Sequence, residues 1–159
     1  MIRKIVLILC LLTFACAPTP AVPSAPATSE IDAELESAIQ QARDSLDTFV
    51  TKIAASHPNR TYVALKVRFV PPGELPQDIW VDGVTHRDGV FRGIMGDDIP
   101  TLRLEIGEEI TIEEEDIVDW MIVEDGKLIG GYTIRLAAQR MSPEERARFL
   151  ETIDYSIED

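Results

Sequence analysis

The sequence predicts an α+β domain: a small curved antiparallel sheet, or SH3-like barrel, of five to six strands, with one long N-terminal helix and two C-terminal helices. Three observations carry that expectation. Apolar residues recur at spacings of three and four between Ile31 and Ile53. The period falls to two after Asn59, where Val63, Leu65, Val67 and Phe69 alternate with Tyr62, Ala64, Lys66 and Arg68. Helical signals then return after Gly130-Gly131 and again at Ser142-Pro143-Glu144-Glu145.

Ahead of the domain, residues 1–15 read as a signal peptide. Arg3 and Lys4 form a positive start, Ile5 to Phe14 is nearly unbroken apolar chain, and Ala15 precedes Cys16. The run is far shorter than the roughly 20 residues of a membrane-crossing helix, which favours removal over permanent anchoring. Cys16 is the expected lipidation site, as in a bacterial lipoprotein signal, although Thr13 and Phe14 depart from the usual Leu and small residue. Cleavage without lipid would have to fall near Ala17 or Ala21, and Pro18 is a poor neighbour for the first of these. Residues 16–29 then form a tether. Pro18, Pro20, Pro23 and Pro26 in an uncharged stretch favour extended chain at about 3.1 Å per residue, enough to hold a domain roughly 40 Å from a lipid. Residues 30–159 form the domain, which has the length for a single core.

Within the domain, Ile31, Leu35, Ala38, Ile39, Ala42, Leu46, Phe49, Val50 and Ile53 mark one apolar helix face that ends before Ser56-His57-Pro58-Asn59. The first strand stops at Pro71-Pro72-Gly73. Segments 78–86 and 90–95 read as a hairpin across Arg87-Asp88-Gly89, and 120–123 pairs with 127–129 across Glu124-Asp125-Gly126. Segments 99–104 and 109–112 are short strand candidates. A short helix follows Gly130-Gly131, and the last helix carries Ala147, Phe149, Leu150 and Ile153 as its expected buried face.

Composition excludes several chemistries. The chain has 28 acidic and 15 basic residues, a formal charge of -13, so nucleic acid and anionic lipid headgroups are poor partners. Cys10 falls in the leader and Cys16 in the tether, which leaves the domain without a thiol for catalysis, disulfides or metal ligation. The acids Glu108, Glu109, Glu113, Glu114, Glu115, Asp116 and Asp119 lack the spacing of a calcium loop and read as solvated charge. His57 and His86 have no nucleophile nearby in sequence. No cofactor or metal site is expected.

Within residues 116–140, the run D-I-V-D-W-M-I-V-E-D-G-K-L-I-G-G-Y-T-I-R resembles the DUF2314 family of bacterial proteins. The leading helix at 38–49, A-L-K-V-R-F at 64–69, I-W-V at 79–81 and M-S-P-E-E-R at 141–146 follow the same pattern. The resemblance implies no catalytic residue and no cofactor. A weaker likeness of G-G-Y-T-I-R to immunity-protein families suggests an inhibitor-like protein binder. Trp120, Tyr132 and Arg135 are the candidate binding surface, weighed against burial of both aromatics and an Arg135–Asp119 ion pair. The expected function is a non-enzymatic module that binds another protein or a small envelope ligand, lipid-anchored to the bacterial cell envelope on its periplasmic or extracytoplasmic face, with an envelope protein as the candidate partner. A metal-independent hydrolase acting on envelope material through a carboxylate pair is the alternative.

Overall fold

A computed structural model describes residues 28–158. The leader, Cys16 and nearly all of the tether lie outside the described residues. The elements are α1 (Thr28–Asp44), α2 (Leu46–Ala54), β1 (Arg60–Phe69), β2 (Gln77–Arg87), β3 (Val90–Met95), β4 (Glu109–Ile112), β5 (Ile117–Glu124), β6 (Lys127–Gly130), α3 (Tyr132–Arg140) and α4 (Pro143–Thr152). Thr28 and Ser29, assigned to the tether from sequence, are therefore helical.

The six strands form one open antiparallel sheet in the order β4-β3-β2-β1-β5-β6, not a closed barrel. Both expected hairpins form. Asp88-Gly89 and Asp125-Gly126 each place two successive residues at positive φ, the conformation that matches the twist of a two-residue hairpin. Segment 99–104 is not a strand. Pro100 lacks an N–H for a ladder, and residues Pro100–Leu102 make a single 3-10 turn closed by an Ile99–Leu104 bridge.

The single long N-terminal helix is also corrected, because the chain breaks at Ser45. Its hydroxyl donates back to the Gln41 carbonyl at 2.7 Å, while the Trp120 indole N–H donates to the Ala42 carbonyl and the Ser45 hydroxyl, both at 3.0 Å. A buried indole needs an acceptor, and the one it takes is a helix carbonyl, so the helix turns there. Phe49 of α2 then packs on Trp120 at 5.5 Å and on Phe91 at 6.3 Å between ring centres.

Two cores result. The main one lies under α1 and α2, where Leu46 and Phe49 meet Leu65, Val81, Met95, Ile117, Trp120 and Ile122. The smaller one occupies the other sheet face, with Ala64, Met121, Val123 and Leu128 covered by Tyr62, Trp80, Ile134, Tyr155 and Ile157. The C-terminal segment closes the β6 edge through Leu128 N–H to Ser156 O at 2.9 Å and Ser156 N–H to Gly126 O at 2.8 Å. The start of α4 carries the expected reciprocal cap, Ser142 with Glu145. Its expected apolar face buries only in part: Phe149 and Ile153 are half-buried, whereas Ala147 and Leu150 are exposed.

Candidate functional site

The junction from β5 to α3 is organised by Asp119. Gly130 and Gly131 both stand at positive φ, and a Cβ on Gly130 would lie 2.5 Å from the Trp120 ring and carbonyl. Gly131 precedes α3 with no side chain to cap it. The carboxylate of Asp119, fully buried, fills that role from the neighbouring strand. It accepts the Thr133 N–H at 2.8 Å, the Thr133 hydroxyl at 2.7 Å, the Tyr132 N–H at 3.1 Å and the Trp120 N–H at 2.8 Å. Burial pushes this carboxyl up, and the hydrogen bonds from Thr133, Trp120 and Tyr132 oppose the shift without cancelling it. Asp119 is thus the exception to the expectation that the acidic run is solvated.

Arg135 does not pair with Asp119. Its guanidinium donates to the Gly130 and Leu128 carbonyls at 2.8 Å each, and also to the carbonyl of Glu158, so it ties α3, β6 and the C-terminal segment together. Trp120 is 1 % exposed. Tyr132 is half-buried with its ring edge-on to Trp120 at 6.0 Å. Together Tyr132 and Arg135 line a groove of about 520 Å³ between α1 and α3, in which Glu34 and Arg140 are already ion-paired at 2.7 Å. The three residues named from sequence are therefore brought together, but Trp120 supports this groove from below without surfacing in it.

The second recess lies on the opposite sheet face and holds residues that sequence reasoning did not single out. Trp80, Tyr62 and Tyr155, each partly exposed, line a cleft of about 350 Å³ with Met121, Ile134 and Asp154. Tyr62 donates its hydroxyl to Asp82, and burial, reinforced by the hydrogen bond and charge of Asp82, pushes the phenol well above its usual range. Asp119, Lys66 and Trp80 are register partners across β5, β1 and β2. The Lys66 ammonium lies 5.5 Å from the Trp80 ring centre and donates to the Thr133 hydroxyl at 3.3 Å. A signal was present: Tyr62 and Trp80 put aromatic rings on the strand face that the alternation assigns to the less buried side.

The other carboxylate of note is Glu124, buried at the far end of β5. It receives Lys52 at 3.1 Å and Arg60 at 2.7 and 3.0 Å. Burial pushes its carboxyl up, but the hydrogen bonds and charges of Arg60 and Lys52 outweigh that and hold it below the ordinary range. Glu124 points toward α2, and Asp119 toward the other face, so the two do not converge. His57 lies 3.6 Å from Asp125, and His86 packs on Phe91 at 4.3 Å between ring centres. Among the described residues no group of three or more His, Cys, Asp or Glu is arranged to hold a metal ion.

Residues 32–155 match a family described as an uncharacterized protein conserved in bacteria, DUF2314. The chain is 32 % identical over 134 residues to the uncharacterized protein YegJ of Escherichia coli K12, covering 83 % of this chain and 86 % of that protein. It is also 34 % identical over 76 residues to a protein of Neisseria meningitidis serogroup B named for ankyrin repeats, covering 46 % of this chain and 30 % of that one. No solved structure matches. The agreement spans the leading helix, the whole sheet and α3, including the Asp119 junction, and the chain belongs to the DUF2314 family.

Proposed function

We propose that the protein is a non-enzymatic binding module of the bacterial cell envelope, lipid-anchored through Cys16, which engages an envelope protein through the surfaces flanking α3. The location rests on the leader, the cysteine and the Pro-rich tether. The binding role rests on one observation: the buried carboxylates are committed to structure while aromatic rings remain open. Asp119 caps α3 and Glu124 is held by Arg60 and Lys52, on opposite faces of one strand. Neither is placed to serve with the other as a general acid and base, which weakens the hydrolase alternative. Trp80, Tyr62 and Tyr155 surround a recess instead, and partly exposed aromatics are the side chains that most often anchor a partner.

The test is affinity isolation from detergent-solubilised membranes with wild type and Trp80→Leu, a change that removes the ring while keeping an apolar side chain. A stoichiometric partner held by wild type and lost by the variant, at unchanged Tm, is the expected result. A partner retained equally by the variant would move binding away from this cleft. Turnover of an envelope substrate by the purified protein, abolished by a carboxylate substitution, would replace the binding reading with the enzymatic one.

A further inference from the structure

We propose that the cleft on the Trp80 face receives a basic side chain, an arginine or lysine presented by the partner protein. This rests on the reading of that cleft as a binding surface and adds the chemistry of what enters it. Three rings, Trp80, Tyr62 and Tyr155, give the lining a concentration of aromatic faces, each of which carries negative potential. Carboxylates add to that potential. Asp154 is exposed and lines the cleft, and Asp82 stands behind the Tyr62 hydroxyl as its acceptor. No lysine or arginine is among the described residues of the lining.

One ammonium already stands over the Trp80 ring, that of Lys66 at 5.5 Å from its centre. Lys66 is not part of the lining, and its ammonium also donates to the Thr133 hydroxyl at 3.3 Å. Against this one cation stand two carboxylates, Asp154 in the lining and Asp82 behind Tyr62, so the surroundings of the recess remain net negative. Met121 and Ile134 supply the apolar lining against which the methylene stem of a long basic side chain is stable. The molecule as a whole carries a charge of -13, so a basic partner is also favoured in long-range approach. A sugar ring would stack on the same aromatics and its hydroxyls would donate to the carboxylates, but being neutral it would gain nothing from their net charge.

The probe is the peptide N-acetyl-Gly-Arg-Gly-Arg-Gly-amide, titrated into the purified full chain at low salt and followed by the indole N–H resonances. Trp120 is the internal control, since its indole is buried and bonded to the Ala42 carbonyl. The expected result is a shift of the Trp80 resonance without a shift of Trp120. Replacing both arginines by citrulline, which keeps shape and removes charge, should weaken binding about tenfold. Asp154→Asn, an exposed change that leaves Tm unaltered, should weaken it severalfold. Equal binding of the citrulline peptide, or no movement of the Trp80 resonance, would overturn the proposal. So would chitotriose shifting Trp80 where the arginine peptide does not. If the membrane partner is lost by Trp80→Leu while the arginine peptide fails, the cation assignment falls alone; if the partner is retained as well, the cleft reading falls with it.

Discussion

At Asp119 a strand carboxylate does what a Ser or Asp beside the helix would ordinarily do. Gly131 cannot cap α3, so the first N–H groups of the helix are satisfied by a side chain 13 and 14 residues earlier in the chain. Removing it strands buried donors on Trp120, Tyr132 and Thr133. Asp119→Ala should cost about 3 kcal/mol or more in urea unfolding, above the range for a surface cap because the stranded donors are buried. Loss of well under 1 kcal/mol would mean that water or a neighbour replaces the carboxylate. The two buried acids of β5 also make opposite contributions to pH dependence. The Asp119 carboxyl is raised, so the folded state holds its proton longer, and this group's contribution to stability declines as pH rises from the ordinary carboxylate range through the raised value. Glu124 is depressed, so its contribution is present above the unfolded carboxylate range and disappears as pH falls through the lower folded value. Glu124→Gln should therefore lower Tm at neutral pH and flatten the fall of Tm on the acid side. An acid limb as steep as that of wild type would show that Arg60 and Lys52 do not stabilise the ionised form.

Among the elements, those specified by local chemistry were legible. The two Asp-Gly hairpins need positive φ at adjacent residues, the Ser142 cap needs only Glu145 three positions on, and β1 is written in its alternation. The misread elements depend on partners distant in sequence. Periodicity runs straight through Ser45, and only the Trp120 indole, 75 residues away, explains why α1 ends there. The candidate site divides in the same way. Gly130-Gly131 and Trp120 announced a special junction, but Asp119 looked like one more member of an acidic run, and Tyr155 joins Trp80 and Tyr62 only because the C-terminal segment returns over the sheet. The junction gives an element-scale prediction. At Gly130 a side chain meets both a backbone φ of +72° and the Trp120 ring at 2.5 Å, and neither strand nor indole has room to retreat from a packed core. Gly130→Ala should destabilise by about 3 kcal/mol or more, read as a loss of Tm with weakened near-UV signal from Trp120. The same substitution at Gly89, whose Cβ would meet nothing within 4 Å, should cost only the conformational part, about 1 kcal/mol.

For the whole molecule, the two sheet faces differ in what covers them. α1 and α2 seal one face over the larger core, whereas the other is covered by α3 and the C-terminal segment and keeps an aromatic recess open. Such an arrangement leaves a stable body with one accessible face, which suits a domain displayed on a tether. Among the described residues no helix is long and apolar enough to cross a membrane, and the proposed attachment is through Cys16. In that proposal Cys16 is the lipid acceptor, since Cys10 would leave with the proposed leader. Replacing Cys16 removes the acceptor without touching the folded domain. Cys16→Ala should therefore abolish palmitate labelling and leave Tm unchanged, while a protein that does reach the envelope shifts from the membrane to the soluble fraction. The strong negative charge sharpens the result, since without a lipid the domain should be repelled by anionic headgroups rather than held to them. A wild-type protein that sediments with membranes but takes up no palmitate, or a Cys16→Ala protein that remains membrane-bound after a high-salt wash, would remove lipidation from the proposed function.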